Sequence, residues 1–204
     1  KKSYYVYRVL SCIKNLNLEI KVFNQENSGI YSAFNIGLKN TLSDWLIFIN
    51  SGDQITNLQS ILKAINIYDS NKQSMLCFKS EIISNEGKLL YTQPIFFGEN
   101  RRKYLTLRKF FPYLFNTCHQ GIVFSTQFHQ RHFYKTNNVG SDALVIKKLL
   151  KKAVFIESTI SKFNTGGLSS NSPRSFKKMI KLSIERYKNK HYYQIISLLI
   201  KWFL

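Results

Sequence analysis

The run Trp45-Leu46-Ile47-Phe48-Ile49, followed at once by Asn50-Ser51-Gly52-Asp53, is the feature that most narrows what this chain can fold into. Consecutive apolar residues suit a strand covered on both faces, and such strands belong to sheets with helices packed on either side. Helical spacing flanks the run. Tyr31, Phe34, Leu38 and Leu42 fall on one face of a helix over 30–42, and another helix is expected over roughly 57–69. Before them the spacing predicts a helix over 4–16 and a strand from Leu18 to Phe23. Strands and helices alternating at this interval predict an α/β fold with a parallel sheet.

The texture then changes. Ser74 to Ser84 and Lys88 to Thr92 read as two strands joined through Asn85-Glu86-Gly87, a hairpin. Residues 103–115 are basic and aromatic, Gly121 to Ser125 reads as a strand, and Asp142 to Lys152 as a helix. Ala153 to Phe163 holds one or two short strands, and Gly166-Gly167 a loop. Ser172-Pro173 reads as an N-cap and first helical residue, opening a helical tail to Leu204. At 204 residues with 44% hydrophobic side chains, the chain suffices for one domain with a real core. Cys12, Cys77 and Cys118 lack metal-ligand spacing and read as reduced thiols, as in a cytosolic protein.

The chemistry gathers where the apolar run ends. In open α/β sheets ligands bind outside the carboxyl ends of strands. A carboxylate there, Asp53, can share Mg²⁺ or Mn²⁺ with diphosphate oxygens, since these ions take one or two protein carboxylates plus phosphates. Gly52 lets the backbone come close to a ligand. Equally, an Asp in a strand-to-helix turn is an ordinary cap for the next helix. His129 and His132, three apart with no third ligand evident, read as surface residues.

Several motifs lie in a telling order. They are Glu26-Asn-Ser-Gly-Ile-Tyr-Ser-Ala-Phe-Asn-Ile-Gly37, Ile49-Asn-Ser-Gly-Asp53, Cys118-His119-Gln120, Ser141-Asp142 and Phe163-Asn-Thr-Gly-Gly-Leu-Ser169. Together they resemble the family-2 glycosyltransferases of the GT-A fold, in the bacterial branch that builds capsule, exopolysaccharide or lipopolysaccharide. The motifs cover about half of the chain. The sequence departs from the family pattern at Ser32, where the branch usually has Asp, and at Leu144, where the second Asp of an Asp-Tyr-Asp pattern would lie. The strands that carry the family's base- and ribose-binding turns have no counterpart before Lys1, so the resemblance implies a domain lacking its first strands.

The resemblance implies a Rossmann-like, mostly parallel GT-A sheet over 1–172 and a basic amphipathic helical tail over 173–204. It implies a nucleotide-sugar donor, a polysaccharide or lipid-linked sugar acceptor, and transfer with inversion. Asp53 is then the metal ligand for Mg²⁺ or Mn²⁺, and Ser51, Gly52 and Asn35 line the donor site. His119 and Gln120 bind acceptor hydroxyls or a phosphate, and Asp142 is the base that takes the acceptor proton. Read from the residues alone, Asp142 is also an ordinary helix cap.

The net charge of +19 attracts polyanions without choosing among them. Eight Lys or Arg against Glu185 follow Pro173, beside Tyr192, Tyr193, Trp202 and Phe203, a composition suited to an anionic membrane surface or to a helix closing the core. The expected location is therefore cytoplasmic, peripheral on the inner face of the plasma membrane. A nucleic-acid-binding module is the alternative from another class, but the basic residues are spread along the chain and form no recognition motif. A catalytically inactive remnant of a glycosyltransferase is the third reading.

Overall fold

The computed structural model describes residues 21–25, 29–94, 117–137 and 140–165. The elements expected over 4–16, 103–115, Gly166-Gly167 and 173–204 lie outside them, as does most of the strand expected over 18–23. Residues 21–23 carry no ladder pairing.

Helix α1 runs Ile30–Asn40 and leads to strand β1, Trp45–Ile47. The turn at Asn50–Asp53 is followed by a two-residue strand β2, Gln54–Ile55, and helix α2, Leu58–Ile67. Then come the long strand β3, Met75–Ile83, and its hairpin partner β4, Leu89–Gln93. A 3₁₀ turn at His119–Gly121 feeds β5, Ile122–Ser125, and a single helical turn α3, Thr126–His129. Helix α4, Ser141–Leu149, tightens into 3₁₀ geometry at Leu150–Lys152 before strand β6, Ala153–Asn164. Where one or two short strands were expected, β6 is a single strand of 12 residues whose pairing slips twice against β3.

Strand order is β1-β5-β3-β6-β2, with β4 also on β3. One edge of β3 is divided, its first residues pairing with β5 and its last with β4, while β6 runs along the other edge. The α/β class expected from sequence holds. The expected parallel direction is found among the described pairings only between β3 and β6; β1 with β5, β3 with β5, β3 with β4 and β2 with β6 are antiparallel. Apolar patterning fixes which face of a strand is buried but carries no information on its neighbour's direction. The doubly covered strand is also not the one anticipated. The three residues of β1 are half-buried, whereas Met75, Leu76, Cys77 and Phe78 of β3 are all buried.

Period-two alternation divides the core between the two faces of the sheet. Met75 and Cys77 of β3, with Ile122 and Phe124 of β5, pack against Val145, Ile146 and Leu149 of α4. Leu76, Phe78 and Val123 point the other way, onto Ile61 and Ala64 of α2. Each fully buried side chain of this kind contributes roughly 1.5–3 kcal/mol by leaving water. Asn57 caps α2, its side-chain oxygen accepting from the Ser60 N–H at 3.0 Å, an interaction worth about 1 kcal/mol. The cap of this helix is therefore Asn57, and the Asp53 carboxylate is left for other contacts.

One close approach fixes the site. Gly121 sits where β3 and β6 are cross-linked by the buried Ser80 and Ser161 hydroxyls, 2.8 Å apart. A methyl group at Gly121 would overlap the Ser80 hydroxyl and lie 3.0 Å from the Phe78 carbonyl oxygen, which belongs to the central strand. Gly121→Ala is expected to destabilise the fold by about 1–3 kcal/mol, the usual cost of overpacking a tight core. Thermal denaturation checks this, and an unchanged midpoint would mean that the turn can shift freely.

Candidate active site

The site grows from the ends of β1, β6 and the 3₁₀ turn. After β1 the chain reverses at Asn50–Asp53, closed by the Asp53 N–H donating to the Asn50 carbonyl at 3.1 Å. Gly52 takes φ 93°, a conformation that side chains with a Cβ rarely adopt, and nothing stands within 4 Å of where its Cβ would be. Asn164, the last residue of β6, grips this turn. Its side-chain amide donates to the Gly52 carbonyl at 3.1 Å, and its backbone N–H approaches Asp53 Oδ1 at 3.4 Å.

Asp53 Oδ2 accepts from Gln120 Nε2 at 2.9 Å. Gln120 is oriented from its other end, where its Oε1 accepts from the Cys118 thiol at 2.8 Å. Burial pushes the Asp53 carboxyl above the usual carboxylate range, against the hydrogen bonds from Gln120, Asn164 and Asn50 that pull it down. A charge held at a cost to itself, with one oxygen only loosely engaged, suits a group whose partner is a cation. No group of three or more His, Cys, Asp or Glu able to hold a metal occurs among the described residues. Asp53 therefore fits an ion shared with ligand phosphates and water, the habit of Mg²⁺ and Mn²⁺, and not an ion caged by protein.

One residue before Gln120, His119 belongs to a second cluster. Its ring is buried and stacks on Phe34 of α1, centroids 5.2 Å apart and planes 9° from parallel. Its Nε2 lies 2.7 Å from the Tyr134 hydroxyl, and His129 Nε2 lies 2.8 Å from the same oxygen. Asn35 of α1 makes a paired contact with the backbone of Tyr134. It donates to the carbonyl and accepts from the N–H, both at 2.9 Å. The side chain expected at the donor site thus holds the segment that carries Tyr134. Ser51 and Gly52 lie in the turn beside Asp53.

Asp142 stands in the first turn of α4, where the helix dipole favours negative charge. It is not the N-cap, a position taken by Gly140, and no side chain caps this helix. Instead Asp142 Oδ1 accepts from the Tyr31 hydroxyl at 2.9 Å, and that hydroxyl accepts from the Gly140 N–H at 3.2 Å. Burial first, then the Asp142 charge, pushes the Tyr31 phenol up to about 12. The same carboxylate acts on Tyr134, which burial raises, and on His119, which burial lowers against the pull of Asp142. Asp53 and Gln120 thus form one cluster, Asp142 and His119 another, joined through the adjacent residues His119 and Gln120.

His129 corrects the sequence reading. Expected at the surface, it is fully buried, packed on Phe124 with ring centroids 4.7 Å apart and on Phe48 at 5.6 Å. The cause is the single turn α3, which Ser125 caps and which folds the ring back under β5. Tyr31, Tyr134, His129 and Asn164 escaped the reading as polar groups of the site. Tyr31 and Asn164 were visible only as members of family-like motifs.

The family assignment rests on a separate match. The sequence pattern described as Glycosyl transferase family 2 matches residues 5–133, a span that includes β1, Asp53, His119 and Gln120. The chain belongs to that family. Asp142 and Asn164 of the family-2 chain lie beyond the matched span. No curated protein matches the sequence. Among solved structures, the family-2 chain is similar to S. aureus TarS 1–349, with TM-score 0.58 and 17% identity over 88% of this chain and 51% of that one. S. aureus TarS 1–349 in complex with UDP gives TM-score 0.54 and 14% identity over 88% and 52%. S. aureus TarS itself gives 0.56 and 15% over 88% and 31%. At such identities the likeness concerns the fold, and the family-2 chain spans about half the length of the TarS 1–349 structures it matches.

Proposed function

We propose that the chain serves transfer of a sugar, with inversion, from a nucleoside-diphosphate donor to a hydroxyl of a polysaccharide or lipid-linked acceptor. The observation that carries this reading is the junction at His119-Gln120. Gln120 holds Asp53 at 2.9 Å, and His119 shares a buried network with the residues around Asp142. A transfer needs these two functions next to each other: stabilisation of charge on a leaving diphosphate, and removal of a proton from an attacking hydroxyl.

In this proposal Asp53 holds the donor end, together with Ser51 and Gly52 of its turn. A divalent ion, Mg²⁺ or Mn²⁺, supplies Lewis-acid stabilisation of the diphosphate when bound. Gln120 keeps the Asp53 carboxylate facing its ligand, and Asn164 keeps the turn from opening. Asp142 accepts the acceptor's proton, and Tyr31 fixes one of its oxygens so that the other is presented. His119 contacts an acceptor group. UDP, present in one TarS complex, makes a uridine nucleotide the first donor class to examine.

The acceptor side extends the proposal to a membrane surface. No helix among the described residues is long and apolar enough to cross a membrane. A peripheral location on the inner face of the plasma membrane would bring the site to a lipid-linked sugar, and the basic, aromatic composition of 173–204 supports it.

The experiment is calorimetric titration with UDP, UDP-sugars and GDP-sugars in Mn²⁺ and in chelator, followed by an assay of nucleotide release from any donor that binds. Saturable, cation-dependent binding of at least one nucleotide is the expected result. No binding across the panel, by a chain whose far-UV spectrum and melting are those of a folded protein, would overturn the reading.

A further inference from the structure

Two imidazoles address one phenol oxygen at the centre of the site. His119 Nε2 lies 2.7 Å and His129 Nε2 2.8 Å from the Tyr134 hydroxyl, and all three side chains are buried. A phenol has one proton to give and lone pairs to accept with. If both Nε2 atoms were bare, the hydroxyl could satisfy one and would face the other lone pair to lone pair. If both carried protons, the phenol's own proton would be left over. Each contact is satisfied only when one imidazole is protonated at Nε2 and the other is not. Burial lowers the pKa of both rings, His129 to about 4, so both are neutral at pH 7 and must be opposite tautomers.

The surroundings of His129 choose between the two arrangements. Its Nδ1 is fully buried and makes no hydrogen bond of normal geometry. The backbone groups that act on the ring are the carbonyls of His129 and His132. Carbonyl dipoles stabilise a proton at Nδ1 and oppose a lone pair there, even at distances too long for a formed bond. His129 is then protonated at Nδ1, and its bare Nε2 accepts the Tyr134 proton. The Tyr134 oxygen in turn accepts from His119 Nε2–H, and His119 Nδ1 is left with a lone pair.

We propose that Tyr134 and His129 are positioning residues that hold His119 in its Nε2–H tautomer, so that the nitrogen it has left for a ligand, Nδ1, is a hydrogen-bond acceptor. The chemical consequence is selective. An acceptor nitrogen takes a hydroxyl, which donates, and rejects a phosphate oxygen, which does not. His119 therefore recognises a sugar hydroxyl, not the diphosphate. Only the identity of that ligand rests on the sugar-transfer reading; the tautomer does not.

The test is long-range ¹H–¹⁵N correlation spectroscopy of the ¹⁵N-histidine-labelled chain at pH 7, with resonances assigned through His119→Gln and His129→Gln. The expected spectrum has His119 protonated at Nε2 alone and His129 at Nδ1 alone. In Tyr134→Phe, His119 should lose this preference and populate both tautomers. Inorganic phosphate should leave the His119 nitrogens unchanged. A His119 protonated at Nδ1, a cationic ring, or two rings of the same tautomer in the wild-type spectrum would each overturn the proposal, whether or not the variant folds. Expected tautomers in a chain that binds no nucleotide would retire sugar transfer alone. Donor binding with the opposite tautomers would retire this inference alone.

Discussion

Asp142→Asn is expected to lower the transfer rate by about 100- to 10,000-fold, the usual contribution of a positioned general base, while nucleotide affinity stays at the wild-type value. The substitution is nearly isosteric. Asn Oδ1 still accepts from the Tyr31 hydroxyl, so the hydrogen bond at 2.9 Å that ties α1 to α4 survives. What is lost is the capacity to take a proton. The helix also loses a favourable charge in its first turn, worth about 0.3–1 kcal/mol, which is small against the catalytic effect. Rate and nucleotide affinity measured on the same preparation separate the two roles. Wild-type transfer by Asp142→Asn would remove the base assignment. Tyr31→Phe supplies the companion measurement. It frees Asp142 Oδ1 without touching the carboxylate, so it should reduce transfer less than Asp142→Asn does.

Asp53→Asn is expected to remove cation-dependent turnover, by roughly 1,000-fold, since metal stabilisation of developing charge is worth several kcal/mol and each ~1.4 kcal/mol is tenfold in rate. Its effect on stability should have the opposite sign. The folded-state pKa of Asp53 lies above its ordinary value because burial disfavours the charged form. A raised carboxyl pKa means that the ionised group costs stability at neutral pH, a cost relieved as pH falls through the raised value. Neutral Asn has no such penalty and keeps an oxygen for Gln120 Nε2. The midpoint of melting at pH 7 without cation should therefore be equal to or above wild type, while Mn²⁺-dependent binding of the nucleotide is lost. Retained cation-stimulated turnover would remove the metal assignment. A collapsed fold would show instead that the carboxylate is structural.

Local signals and distant contacts were legible to different degrees. Helix α1 begins at Ile30 as its spacing predicts and ends at Asn40, two residues short of the expected limit, because Thr41 is extended. The hairpin of β3 and β4 was plain from Gly87 between two alternating runs. The turn carrying Asp53 was visible because an apolar strand must stop where polar residues begin. Asn164 reaching Gly52 across 112 residues, and Tyr31 reaching Asp142 across 111, have no local signature. Tyr31 was counted correctly for the apolar face of α1, yet its hydroxyl does the site's work, and a helical repeat registers only the ring. His129 was misread for a related reason. Its burial comes from a four-residue helix too short to show periodicity. The direction of β5 against β1 and β3 depends on how the chain returns to the sheet, which no property of Ile122–Ser125 encodes.

The turn His119–Gly121 touches both carboxylate clusters with successive side chains, and its third residue is pinned against the central strand. It behaves as a ruler of fixed length between the two ends of the reaction. Variants that take a bulkier or longer acceptor should therefore arise by remodelling the walls around this span, and insertions within it should be lethal to activity however small they are.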